Sequence, residues 1–286
     1  MSTTASPDNV DKLIAKLPEI FKKSNGYTEL FGYELDKKNT QYYTEDMTKK
    51  LLTKLLKAYN NDINETINHL IKILKWRQKF NPLSCAFKEK HSEILEKVGI
   101  ITNYKDGTVI TWNLYGELLQ HKDKIMNSED NLNKFIRYRV GLMERGIRLL
   151  FANDSSQEYM TQIHDYKGVS MWRMESKMRK TVKDIVFIFG EYYPEFLDRK
   201  FFVNVPRTLT WVYDIIIKFV SNETKQKFVV LNDAKSLGRY ISDVPNKTYG
   251  GKSELTLTQQ CVPESKIRPT PYALSLFEYE IINEVE

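Results

Sequence analysis

The sequence predicts an α/β protein, with a helical N-terminal unit followed by a mainly parallel sheet carrying crossover helices. Three observations carry this expectation. Leucine and isoleucine recur at helical spacing through roughly the first ninety residues. Runs rich in β-branched and aromatic residues, at 108–114, 159–172, 200–205 and 228–231, then alternate with amphipathic helical stretches. Hydrophobic residues make up 41% of the 286, enough to fill a core.

Residues 1–26 read as a capped lead-in and a short helix. Val10, Leu13, Ile14 and Leu17 recur at helical spacing until Pro18, which is expected to interrupt it. Residues 26–48 are polar and tyrosine-rich and read as an irregular connection. From Thr48 onward Leu51, Leu52, Leu55, Leu56 and Tyr59 form one stripe. A second helix spans 63–80, with Ile67, Leu70, Ile71, Leu74 and Trp76, and Asn81-Pro82 ends it. A strand at 108–114 (TVITWNL) is followed by a helix over 131–150. The run 159–172 alternates as a strand into a glycine turn, and a helix covers 182–192. Strand 200–205, a helix over 209–220 after Pro206, and strand 228–231 complete the order β-α-β-α-β-α-β. The expected division is a helical subdomain over 1–92 and a ligand-binding domain over 93–286.

The net charge is +6, with 43 basic and 37 acidic residues interspersed. That balance fits a solvated surface that touches anionic membrane transiently, and no basic arm or RNP-type motif points to nucleic acid. No apolar run approaches the roughly 18 residues of a membrane span. The N-terminus has neither the basic start nor the apolar stretch of a signal peptide. Cys85 and Cys261 stand far apart and form no disulfide framework or zinc spacing. The expected location is the cytoplasm, with peripheral association to the endoplasmic reticulum or other internal membranes.

No Walker or Rossmann loop, Gly-x-Ser-x-Gly elbow or HExxH motif is present. His69, His91 and His121 lie in polar stretches and are expected to be solvated. The chain therefore reads as a binding protein rather than an enzyme.

Several segments together resemble the CRAL-TRIO lipid-binding family. They are Tyr192-Tyr193-Pro194-Glu195, Phe202-Val203-Asn204-Val205-Pro206, Trp211-Val212-Tyr213 and Ile217-Lys218-Phe219-Val220. Thr224, Lys227-Phe228-Val229-Val230-Leu231 and Tyr249-Gly250-Gly251 continue the pattern, and Leu51-Leu52, Leu55, Ala58 and Trp76-Arg77 resemble the family's N-terminal helical subdomain. The resemblance covers about residues 48–260 and implies a CRAL-TRIO fold, with a mainly parallel sheet and flanking helices enclosing a hydrophobic cavity. It is nearest to fungal phosphatidylinositol-transfer proteins. That resemblance implies Glu195, Thr224 and Lys227 as contacts to the lipid headgroup. Members that bind phosphatidylcholine carry small hydroxyl residues where this chain has Met160 and Gln162. Tyr59 falls where headgroup-binding members tend to carry a basic residue.

Alternation places Met160, Gln162, His164 and Tyr166 on one strand face, and Thr161, Ile163, Asp165 and Lys167 on the other. In the family the first face lines the cavity. Imidazole and phenol in an apolar cavity cost about 1–3 kcal/mol each unless they find partners. A lipid tail supplies none; a metal centre does.

The chain is also similar to a fungal branch of the family that carries haem. The similarity rests on Asn81-Pro82-Leu83-Ser84-Cys85-Ala86, Thr111-Trp112-Asn113-Leu114-Tyr115-Gly116, Arg137-Tyr138-Arg139 and Gln162-Ile163-His164-Asp165-Tyr166-Lys167-Gly168. It implies ferric haem b with Tyr166 as axial iron ligand and Tyr115, Arg139, His164 and Lys200 around the macrocycle, with Tyr59 a further candidate. The leading expectation is a haem-binding carrier that retains phosphatidylinositol binding or transfer. The alternative is a pure phosphatidylinositol transfer protein regulating phosphoinositide supply. A haem-dependent peroxidase-like enzyme comes third.

Overall fold

The computed structural model describes residues 6–125, 127–152, 157–169, 176–205 and 222–285. The expected helix at 209–220 and the end of the 159–172 run, with the motif pieces at 211–213 and 217–220, lie outside these residues.

The N-terminal unit comprises α1 (Pro7–Lys23), a short hairpin of β1 (Glu29–Leu30) and β2 (Tyr33–Glu34), α2 (Glu45–Ala58) and α3 (Ile63–Phe80). Asp62 caps α3 by accepting from the Glu65 amide at 2.9 Å. Asn81 closes α3 in a left-handed conformation and at once caps α4 (Pro82–Phe87), whose first residue is proline. Pro18 does not interrupt α1 as expected. It sits at an exposed position of the helix, where water can satisfy the carbonyl its missing N–H leaves free. The expected irregular stretch contains the hairpin.

After α5 (Glu93–Val98) come β3 (Gly99–Asn103), β4 (Val109–Leu114), α6 (Tyr115–Gln120), α7 (Lys122–Ile125) and the long α8 (Glu129–Ala152). They are followed by β5 (Met160–Asp165), α9 (Ser176–Tyr192), β6 (Leu197–Val203), α10 (Asn222–Gln226) and β7 (Phe228–Leu231). The sheet order is β3-β4-β5-β6-β7. β4 to β7 pair in parallel, while β3 adds an antiparallel edge that the sequence reading did not contain.

All six residues of β5 are buried, as befits a central strand covered on both faces. One sheet face packs Ile110, Trp112, Ile163, Phe201 and Val203 against the C-terminal segment. There α11 (Asn246–Tyr249) ends at Gly250, whose φ is +72° and where a Cβ would lie 2.1 Å from the Lys235 carbonyl oxygen. The Tyr249 hydroxyl donates to buried Asp165 at 2.8 Å, and Asn204 Nδ2 donates to the same carboxylate at 2.7 Å. This ties the closing turn to the sheet. After α12 (Leu257–Gln260), α13 (Pro271–Val285) returns to the N-terminal unit, packing Ala273 and Phe277 on Leu83.

The helical unit and the sheet share one core. Leu13, Leu52, Leu70 and Ile73 cluster with Leu142 and Ile147 of α8, Met160 of β5, and Phe196. A charged knot is sealed inside it. Arg77 is fully buried and donates to Glu29 at 2.8 and 2.9 Å and to Glu144 at 2.7 and 3.1 Å. The Tyr193 hydroxyl also donates to Glu144, at 2.6 Å. A buried guanidinium is tolerated because its donors meet two carboxylates.

Candidate functional site

The other face of the sheet borders a cavity of about 410 Å³ between the strands, α6, α8 and α9. β5 places Gln162 and His164 on it, as strand alternation requires, and Tyr166 follows on the same side just past the strand end. Met160 departs from that expectation. It is fully buried against Gly146, where the missing side chain lets α8 come down onto the strand, and it does not line the cavity.

Register brings the polar groups together. Lys200 pairs across from Gln162, and Phe202 across from His164. The Tyr166 amide continues the ladder past the strand end by donating to the Val203 carbonyl at 3.0 Å. Tyr115 arrives from β4 and α6. At the next residue, Gly116, a Cβ would sit 1.9 Å from the Lys167 carbonyl oxygen, so only glycine lets α6 pass this close to the end of β5. The Tyr115 ring thereby lies 5.2 Å from that of Tyr166, and its hydroxyl 3.1 Å from His164 Nδ1. Arg139 enters from α8, its guanidinium 5.7 Å from the Phe189 ring centre.

These groups are deprived of water. His164, Tyr166 and Arg139 are buried, at 4%, 6% and 3% exposure. Burial, then nearby Lys200 and Arg139, push the His164 imidazole well below its usual range, so it is neutral. Burial and neighbouring Tyr115 push the Tyr166 phenol well above its usual range, against a smaller opposing pull from Arg139. Lys200 keeps some accessible area because it borders the cavity, yet burial and then Arg139 lower its ammonium to about 7. In this cluster three buried nitrogens have no hydrogen-bond partner among the described residues: His164 Nε2, Arg139 Nε and Arg139 Nη1. Among the described residues no carboxylate pairs with Arg139 or Lys200. Such a site fits a ligand that brings negative charge on an apolar body.

The expected headgroup residues gather at another part of the lining. Lys227 Nζ lies 3.9 Å from Glu195 Oε2, and both border the cavity with Thr224. Glu195 is held at φ +56°, and its carbonyl oxygen accepts from Lys54 Nζ at 3.1 Å. Lys54 also donates to the Glu158 carbonyl at 2.6 Å, and burial lowers its ammonium to about 8. The sequence reading did not single out Lys54. It sits beside Leu55 in a leucine stripe, where a lysine reads as surface.

Tyr59 lines the cavity from the end of α2, and its ring stacks on His69 at 4.1 Å. It therefore belongs to the helical rim, not to the cluster around His164. The three histidines expected to be solvated are half-buried. His91 Nε2 lies 2.6 Å from the Cys85 carbonyl oxygen.

Fold and site define a protein with an internal ligand cavity roofed by helices and floored by a mainly parallel sheet. Residues 96–251 match the CRAL/TRIO domain, and the chain belongs to that family. It is 49% identical over 287 residues to a protein named phosphatidylinositol transfer protein SFH5 from Candida glabrata, with 96% of each chain covered. It is 46% identical over 288 residues to the protein of that name from Saccharomyces cerevisiae, again over 96% of each. A crystal structure of Sfh5 superimposes with a TM-score of 0.88 at 45% identity, covering 96% of both chains.

Proposed function

We propose that this chain is a lipid carrier that holds phosphatidylinositol in the cavity and exchanges it at internal membranes such as the endoplasmic reticulum. The observation that carries the reading is the Glu195–Lys227 pair, 3.9 Å apart on the cavity lining with Thr224 beside it. The ammonium can meet the headgroup phosphate, while the carboxylate and hydroxyl can hydrogen-bond the inositol hydroxyls. The apolar side chains of α9, Met178, Val182, Ile185 and Val186, offer a surface for acyl chains. The relatives' names point to the same lipid. No helix among the described residues is long and apolar enough to cross a membrane. The test is mass analysis of lipid extracted from the purified chain. Phosphatidylinositol should be retained by the wild-type chain and depleted in Glu195→Ala/Lys227→Ala. Retention of phosphatidylcholine in its place would contradict the reading.

A second reading is ferric haem in the same cavity, favoured by the unpartnered His164 Nε2 and Arg139 nitrogens. The residues fit such a group. Tyr166 would hold the iron, and Arg139 and Lys200 would pair with its propionates. When bound, iron held by phenolate stays ferric and resists reduction. Burial keeps the Tyr166 phenol protonated until a cation displaces its proton. Tyr115 fixes the His164 ring beside it. A Soret band that acid–acetone extraction removes is the expected signature; a colourless chain that stays colourless after haem is supplied would end this reading.

A further inference from the structure

The outer face of α9 carries a feature that the cavity does not use. Lys177, Arg179, Lys180 and Lys183 are exposed there, with Asp184 as the acidic residue in their midst. One turn beyond Lys183 stands Phe187, which is 54% exposed and also lines the cavity. Its ring meets Tyr192 edge-on at 6.2 Å. Tyr192 stacks on Trp76 of α3 at 4.3 Å, and Trp76 on Phe80 at 4.8 Å. Tyr192, Trp76 and Phe80 are all half-buried, and Lys75 and Lys79 are exposed on the same helix as Trp76.

Exposed lysines alone are an ordinary solvated surface. Here they share α9 and α3 with a protruding phenylalanine and a ladder of half-buried aromatic rings. Basic side chains with amphipathic aromatics suit the headgroup region of a bilayer, where the charges meet anionic lipid and the rings meet the acyl boundary. An acidic protein would satisfy the lysines, but it would not explain an exposed phenylalanine at a point where the cavity lining reaches the surface.

We propose that this face of α9, with the aromatic ladder to α3, docks on an anionic phospholipid bilayer and sets the cavity against the membrane. Its purpose rests on the carrier reading, but the docking itself can be measured without transfer. The experiment is flotation of the full chain with vesicles of phosphatidylcholine alone and with phosphatidylserine added. Wild type should bind the second and be released by high salt. Lys177→Ala/Lys180→Ala/Lys183→Ala should bind on the order of a hundredfold more weakly, three contributions of about 1 kcal/mol converted at 1.4 kcal/mol per tenfold. None of the three lysines lines the cavity, so ligand content and melting temperature should match wild type. Phe187→Ser should also weaken binding, in a way that salt does not reproduce. A triple variant that binds like wild type, or a wild type that ignores anionic vesicles, would overturn the proposal. Intact docking with no lipid transfer would count against the carrier reading alone.

Discussion

His164 Nδ1 lies 3.1 Å from the Tyr115 hydroxyl, while Nε2 of the same ring is buried without a hydrogen-bond partner. One side of the imidazole is thus fixed by the protein and the other is left to the cavity. Burial keeps the ring neutral, so a bound ligand meets an imidazole rather than a cation. Tyr166, its ring 5.2 Å from that of Tyr115, faces the same space.

If the haem reading holds, the two residues separate by spectrum. Tyr166→Phe removes only a hydroxyl, so packing should survive while haem is largely lost or its spectrum remodelled. His164→Ala should shift the spectrum, keep a tyrosinate-type ferric centre and weaken affinity by about 10–100-fold. An unchanged Tyr166→Phe spectrum with binding abolished in His164→Ala would reverse the assignment.

Lys200 links the cavity to pH. Its ammonium is lowered to about 7, so it is charged below that pH and neutral above it. Between about 7 and the ordinary lysine value of about 10, the unfolded chain binds a proton that the empty folded protein does not. Stability of the empty protein should therefore rise with pH across that window. Lys200→Met should remove the part of the rise that begins near pH 7, leaving the part that Lys54 supplies above about 8. It should also stabilise the empty protein at neutral pH by roughly 1–3 kcal/mol, because an ammonium poorly served by water and with no carboxylate partner among the described residues is gone. It should also weaken binding of anionic ligands. Melting curves from pH 6 to 10, as order-of-magnitude bounds on that window, check the slope; a wild type whose stability falls with pH across it would refute this account of Lys200.

Arg77 is a matter of folding. Arg77→Met would leave Glu29 and Glu144 buried without their cation, at a cost of about 3–5 kcal/mol. A melting temperature lower by roughly 10 °C is expected. Arg77→Lys should rescue only part, since one ammonium cannot match four guanidinium hydrogen bonds to two carboxylates.

The cavity face of the central strand was legible in the sequence from Gln162 onward because side chains alternate there; Met160 lies before a register shift and escapes the pattern. Gln162, His164 and Tyr166 emerge on one face wherever the strand lies, and the structure puts them on the cavity. The helix at Ile63–Phe80 was legible because Asn81-Pro82 punctuates it. β3 was not, because Gly99–Asn103 is a short apolar run directly after a helix, and periodicity cannot tell such a run from a helix end. Pro18 misled because its cost depends on exposure, which the pattern does not carry. The Arg77 knot and the Lys54 contacts were invisible for a related reason. Glu29 lies 48 residues from Arg77, and Glu195 lies 141 residues from Lys54. Only the fold brings these partners to the charge.

The carrier reading is tested most directly by lipid movement. Glu195, Thr224 and Lys227 share the cavity lining with Gln162, which by the family resemblance stands where choline-lipid binders carry a hydroxyl. The measurement is transfer of labelled phosphatidylinositol and phosphatidylcholine between vesicles by the full chain, with Glu195→Ala/Lys227→Ala alongside. Phosphatidylinositol should move in preference, and the double variant should lose about tenfold or more of that transfer, as for hydrogen bonds to charged groups. Equal transfer of both lipids, or transfer of phosphatidylcholine alone, would contradict the account.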